Sequence, residues 1–142
     1  MKVLAADGIS PKGIELLQKE FEVVVKDKLP AEELLEIIPD FDALIVRSAS
    51  KVTAEVIARA KKLKIIGRAG VGVDNIDVKY AEANGITVKN TPKASSQSVA
   101  ELAMGHMFSC ARYLSIAGHT MREGKWEKKA YGKGIELQGK TL

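Results

Sequence analysis

The stretch Gly67-Arg-Ala-Gly-Val-Gly-Val-Asp-Asn-Ile-Asp77 holds the residue types best able to do chemistry, and it leaves directly from the apolar run Leu63-Lys-Ile-Ile66. Glycines lack a Cβ, so backbone built around them can approach a ligand closely and present amide N–H groups to an anion. A glycine-rich turn after a strand first suggests the dinucleotide fingerprint GxGxxG, whose third glycine lets the next helix pack against the sheet. Gly70 and Gly72 fill the first two positions, but Asn75 stands at the third. The fingerprint fails, and a loop suited to a small anion remains.

Two guanidinium groups accompany that loop. Arg68 lies within it, and Arg47, followed by Ser48, ends the apolar run Ala43-Leu-Ile-Val46. A planar, permanently charged fork suits a carboxylate or a phosphate. Asn90 adds an amide that can both donate and accept. Each has an ordinary alternative: a solvated strand end for Arg47, a tight turn for the glycines, a turn residue before Thr91-Pro92 for Asn90. Asp74 and Asn75 read as holding the loop in shape rather than touching ligand. His106 and His119 do not have the i, i+4 spacing of a two-histidine metal site, so packing is the expectation for both and no metal is assigned. Cys110 has no neighbouring His or Lys in sequence and reads as a buried, inert thiol. It has no cysteine to pair with, which fits a reducing cytoplasm.

These groups need a scaffold. Val3–Ala6, Phe21–Val25, Ala43–Val46, Lys64–Gly67 and Ile86–Val88 read as strands. Helices are expected from Ser10-Pro11, over Pro30–Ile38, over Ala54–Leu63 with Thr53 as cap, and from Asp77 to the Asn84-Gly85 stop. Continuous apolar strands alternating with helices predict a doubly wound α/β fold, a flavodoxin-like five-stranded parallel sheet. Arg47 then projects at the carboxyl edge of the sheet, where ligands of such folds bind.

Beyond Pro92 the style changes. Ser98-Val-Ala-Glu101 reads as a capping box opening a long helix to about Met121, apolar over most of its circumference. Such a helix is expected to bury itself against a second domain or a second copy of the chain. The Gly- and Lys-rich tail from Glu123 has Trp126 as its only large anchor, and Gly139-Lys-Thr-Leu142 reads as the start of a strand, as if the chain were part of a longer protein.

The 142 residues carry a net charge of +4, with 46% hydrophobic, 28% charged and only 5% aromatic residues. That balance is globular. The charge is spread through helix ends and the tail with few rings to stack on bases, which favours a small anionic ligand over nucleic acid. No apolar run approaches the ~20 residues of a membrane span, and a cytoplasmic protein is expected.

Val46-Arg-Ser48, the Gly67–Asp77 loop, Asn90-Thr-Pro92, Ser98-Val-Ala-Glu101 and Gly124-Lys-Trp126 occur in the order and spacing of one family. Through them the chain resembles the D-isomer-specific 2-hydroxyacid dehydrogenases, most of all the members acting on 3-phosphoglycerate. The resemblance implies a substrate domain over residues 1–95, and over 96–142 an interdomain helix and the start of an NAD-binding domain. It implies a complete enzyme using NAD. It also implies that Arg47, Ser48, Arg68, Asn90 and the backbone of Gly70, Val71 and Gly72 bind substrate. Lys128 aligns with a basic position that in some relatives reaches the neighbouring subunit's substrate phosphate, and the helix over residues 98–121 is expected to join two copies. Several relatives have Thr where this chain has Val71, so Val71 can offer a nicotinamide only backbone and methyl contacts. The family's catalytic arginine, glutamate and histidine have no counterpart to assign here, and the chain alone is expected to be inactive.

Other readings share the fold. A binding module like the dehydrogenase-like corepressors would keep the anion loop without turnover, and glyoxylate or hydroxypyruvate reductases share the loop. A signalling receiver is disfavoured, because its third strand should end in Asp rather than Arg47-Ser48.

Overall fold

A computed structural model describes residues 1–141. The chain divides into two compact units, Met1–Ala94 and Ser95–Leu142.

The first unit is one five-stranded sheet in the order β2-β1-β3-β4-β5, formed by β1 (Lys2–Ala6), β2 (Glu22–Lys26), β3 (Ala43–Val46), β4 (Ile65–Arg68) and β5 (Thr87–Asn90). All neighbouring pairs run parallel. This is the flavodoxin-like order expected from the strand pattern. β1 and β3 are nearly all buried because helices cover both faces, whereas the edge strands β2 and β5 expose half or more of their residues. Leu4, Leu44, Val46 and Ile66 are fully buried and meet Leu34, Ile38, Val52 and Ile57 in one core. Each such aliphatic side chain contributes about 1.5–3 kcal/mol by leaving water.

Helix starts follow their caps. Ser10 Oγ accepts from the Gly13 amide at the head of α1 (Pro11–Gln18), and α2 (Ala31–Ile37) follows Pro30. Thr53 Oγ1 accepts from Val56 N at α3 (Ala54–Arg59), and Asp77 Oδ1 from Tyr80 N at α4 (Val78–Ala83). Two boundaries differ from expectation. α2 passes into a 3-10 turn, Ile38–Asp40, that carries the chain through Pro39. α3 ends at Arg59, not Leu63: Ala60 leaves the helical region so that Ala60 and Leu63 can both enter the core.

The second unit holds α5 (Ser96–Ala111), α6 (Leu114–Arg122) and α7 (Lys128–Tyr131). The single long helix expected over 98–121 is two helices. Tyr113 adopts a left-handed conformation with φ 55°, and the Ala111 carbonyl accepts from the Ile135 amide at 2.9 Å. The tail therefore takes over a helical acceptor, and Tyr131 sets its ring 6.2 Å from that of Tyr113. The capping box is also absent: α5 begins two residues before Ser98, its cap residue Ser95 makes no side-chain cap bond, and Glu101 accepts instead from Gln97. Cys110 is exposed rather than buried, because the apolar circumference of α5 exceeds what this unit can cover. Gln138 and Gly139 form a turn where a strand start was expected, and Leu142 lies outside the described residues. No helix among the described residues is long and apolar enough to cross a membrane.

Candidate anion site at the carboxyl edge of the sheet

β3 and β4 pair with Val46 opposite Arg68, so Arg47 leaves the sheet one step beyond the level at which Arg68 ends β4. Asn90 ends β5 opposite Arg68. The carboxyl edge thus gathers the predicted Arg47, Arg68 and Asn90 on three adjacent strands, for the reason given by the parallel topology: every strand finishes on the same side.

The loop after β4 is held by its neighbours. Ala69 N donates to Val46 O at 2.8 Å, Thr91 N to Gly70 O at 2.9 Å, and Asn90 Nδ2 to Val71 O at 2.6 Å. The side-chain amide of Asn90 is therefore already engaged in shaping the loop. Glycine suits position 70 on two counts: its φ of 156° is one that L side chains rarely adopt, and a Cβ there would force aside the Arg68 guanidinium, which lies over it. The Gly70 amide donates to Arg68 O at 2.9 Å. Among the described residues the Val71 and Gly72 amides have no such acceptor, so they are the two free donors of the three expected. Val71 itself is 46% exposed. Arg68 is half-buried, and its Nε is shielded from solvent without any hydrogen-bond partner. A buried guanidinium donor left unpaired has a high cost, which an anionic acceptor would relieve.

Arg47 and Ser48 are exposed, and the segment that carries them is clamped from two sides. Asp7, just past β1, accepts from the amides of Arg47 and Ser50, each at 2.9 Å, and from Ser50 Oγ at 2.6 Å. From the other side Asn75 Nδ2 donates to the carbonyls of Arg47 at 2.9 Å and Ser50 at 2.7 Å. Asn75, the residue that broke the nucleotide fingerprint, is thus structural, as its reading implied. Partial burial pushes the Asp7 carboxyl up, but the hydrogen bonds from Ser50, Arg47 and Ala49 outweigh it and hold the group below its ordinary range.

Asp7 and Ser50 escaped the sequence reading. The available signal was Ala6-Asp-Gly8 at the end of a buried strand, the same edge that drew attention to Arg47. Arg47 and Ser48 line a hollow of about 400 Å³ together with Asp7, Gly8, Asp27 and Lys28. Ser48 also borders a second hollow of about 550 Å³ beside Asp74 and Asn75. Lys128 belongs to the second unit, where it is exposed as the first residue of α7.

Residues 3–134 match the model of the D-isomer specific 2-hydroxyacid dehydrogenase catalytic domain. The chain is 53% identical over 142 residues to the hydroxypyruvate reductase of Thermotoga maritima, covering 99% of this chain and 46% of that protein. It is also 53% identical to the D-3-phosphoglycerate dehydrogenase of Methanocaldococcus jannaschii, covering 100% of this chain and 27% of that protein. The NAD+-bound 3-phosphoglycerate dehydrogenase of Entamoeba histolytica superposes with a TM-score of 0.73 at 35% identity, over 96% of this chain and 43% of that one. The chain spans less than half the length of these proteins. With its matched domain, its sheet order and its loop at the sheet's carboxyl edge, it belongs to the D-isomer specific 2-hydroxyacid dehydrogenase family.

Proposed function

We propose that this chain is the substrate-binding portion of an NAD-dependent D-2-hydroxyacid dehydrogenase whose substrate is 3-phosphoglycerate. The complete enzyme would oxidise it to 3-phosphohydroxypyruvate, the first step of serine biosynthesis, in the cytoplasm. The observation that carries this reading is the unpaired, buried Nε of Arg68 beside the free amides of Val71 and Gly72. The two amides suit a carboxylate, and Arg68 with Arg47 suits the additional charge of a phosphate.

NAD is the cofactor we assign to the complete enzyme, in keeping with the NAD+-bound relative of Entamoeba. The residues of this chain do not fit it. Asn75 occupies the third glycine position with its side chain committed to two carbonyls, and Val71 has no hydroxyl to offer. What this chain contributes is therefore recognition of the substrate, and we propose that the chain by itself is inactive.

The second unit supplies a different element. The exposed apolar residues of α5 and α6, Leu102, Phe108 and Leu114 among them, support a role as the crossing into a nucleotide domain and as a contact between two copies. Lys128 would then approach the substrate phosphate of the other copy.

The equal identity to the hydroxypyruvate reductase favours a second reading, an unphosphorylated substrate. Titrating 3-phosphoglycerate and D-glycerate against the wild-type chain and Arg47→Ala separates the two. We expect the phosphorylated acid to bind more tightly, and Arg47→Ala to weaken it about tenfold or more, the range of one charge-assisted pair. Equal affinity for both acids would move the assignment to the reductase class, and equal binding by both proteins would remove Arg47 from the site.

A further inference from the structure

We infer that Asp7 is a positioning residue, one that presents the Arg47 guanidinium to the substrate anion. The inference rests on the substrate-site reading above and adds to it a residue on a different strand. Asp7 is acidic and adjacent to an arginine, yet the two side chains make no ion pair among the described residues. The carboxylate takes the backbone instead: Oδ2 accepts from Arg47 N and Ser50 N, and Oδ1 accepts from Ser50 Oγ. With Asn75 on the two carbonyls, both backbone groups of Arg47 and both of Ser50 are held. Only the guanidinium of Arg47 is left without a partner, exposed at the sheet edge.

That division of labour is what anion binding requires. A side chain with many rotamers binds more tightly when its backbone is fixed beforehand, because less freedom is lost on contact. Pairing Asp7 with the guanidinium would have neutralised the very group a phosphate or carboxylate needs. The support of Asp7 is itself built: its backbone is left-handed with φ 68°, which Asp tolerates better than most residues, and Asp27 Oδ1 accepts from the Gly8 amide at 2.8 Å to fix the turn. Asp27, Lys28 and Arg47 are the other charged groups lining the hollow that Asp7 faces.

The test uses the whole 142-residue chain. NMR follows the amide protons of Arg47 and Ser50 against pH, while 3-phosphoglycerate is titrated into the wild type, Arg47→Ala, Asp7→Ala and Asp7→Asn. Both amides are expected to shift together as Asp7 protonates, with a midpoint below the ordinary carboxylate value, and to stay still in Asp7→Asn. Asp7→Ala should weaken binding about tenfold by freeing the segment, the scale of a charged acceptor lost. Asp7→Asn keeps an oxygen for the two amides and lets Ser50 Oγ accept from its NH2 group, so it should restore most of the affinity. If Asp7→Ala does not fold, Asp7→Glu replaces it, since one extra methylene displaces the carboxylate while keeping its charge. Loss of binding in Arg47→Ala with full binding in the Asp7 variant would overturn the positioning role and leave the site reading intact. Amides that ignore Asp7 would overturn it whatever the ligand does. Full binding by Arg47→Ala would remove Arg47 from the site, and this role with it, while leaving Arg68 and the loop amides as the anion site.

Discussion

The two units spend similar apolar sequence in opposite ways. In Met1–Ala94 the strands and the inner faces of the helices close on one core, and every buried apolar side chain of the described residues except Ala111 lies there. In the second unit Leu102, Phe108, Leu114, Met121 and Trp126 stand between 49% and 75% exposed. The difference comes from geometry rather than composition. A sheet offers two broad faces that short helices can cover, whereas α5, α6 and α7 with an irregular tail offer each other only narrow stripes. The first unit has what a fold needs within itself, and the second leaves its large apolar side chains exposed.

Separating the units tests this contrast most severely. Residues 1–94 alone should unfold in one cooperative transition under denaturant, with far-UV circular dichroism and a buried-core probe giving the same midpoint. Residues 95–142 alone should lose structure gradually, without a sigmoidal transition. A sharp transition in the second piece would show that its exposed leucines are not the mark of a missing partner.

The next largest effect compares two leucines of equal size. Leu44 is fully buried, so Leu44→Ala should cost about 2–5 kcal/mol in urea unfolding. Leu102 is 62% exposed, and Leu102→Ala should change stability by no more than about 0.5 kcal/mol. Its effect should appear instead as weaker self-association in sedimentation at raised concentration. Equal costs for the two substitutions would erase the distinction between the units.

The same contrast explains what could be read from the sequence. Strand order and the carboxyl-edge position of Arg47, Arg68 and Asn90 were legible because short apolar runs between capped helices admit few arrangements. Thr53, Asp77 and Ser10 cap as their residue types dictate. The break at Tyr113 was not legible, since it goes with a contact that local sequence does not announce: the Ile135 amide, from a distant part of the tail, takes the Ala111 carbonyl. Asp7 was hidden for the same kind of reason. Its partners, Arg47 and Ser50, are some 40 positions away in sequence, and only the pairing of β1 with β3 brings them together. Asn75 shows the intermediate case, where the residue type announced a structural role but not the two carbonyls it would hold.

The last comparison lies at Gly70, and it tests the site rather than the core. A Cβ at this position meets the Arg68 guanidinium, the far end of a flexible side chain and not rigid backbone. Gly70→Ala should therefore displace Arg68 at a cost of roughly 1–3 kcal/mol, made up of that displacement and of the strain of a positive φ. The two parts can be separated. In an Arg68→Ala background the displacement has nothing to act on, so Gly70→Ala should cost measurably less there, and the double-mutant cycle should show coupling. Additivity within about 0.3 kcal/mol would mean that the guanidinium does not rest on Gly70. Ligand affinity sharpens the result further. If Arg68 binds the anion from this position, Gly70→Ala weakens 3-phosphoglycerate binding in the wild-type background and leaves it unchanged once Arg68 is already gone.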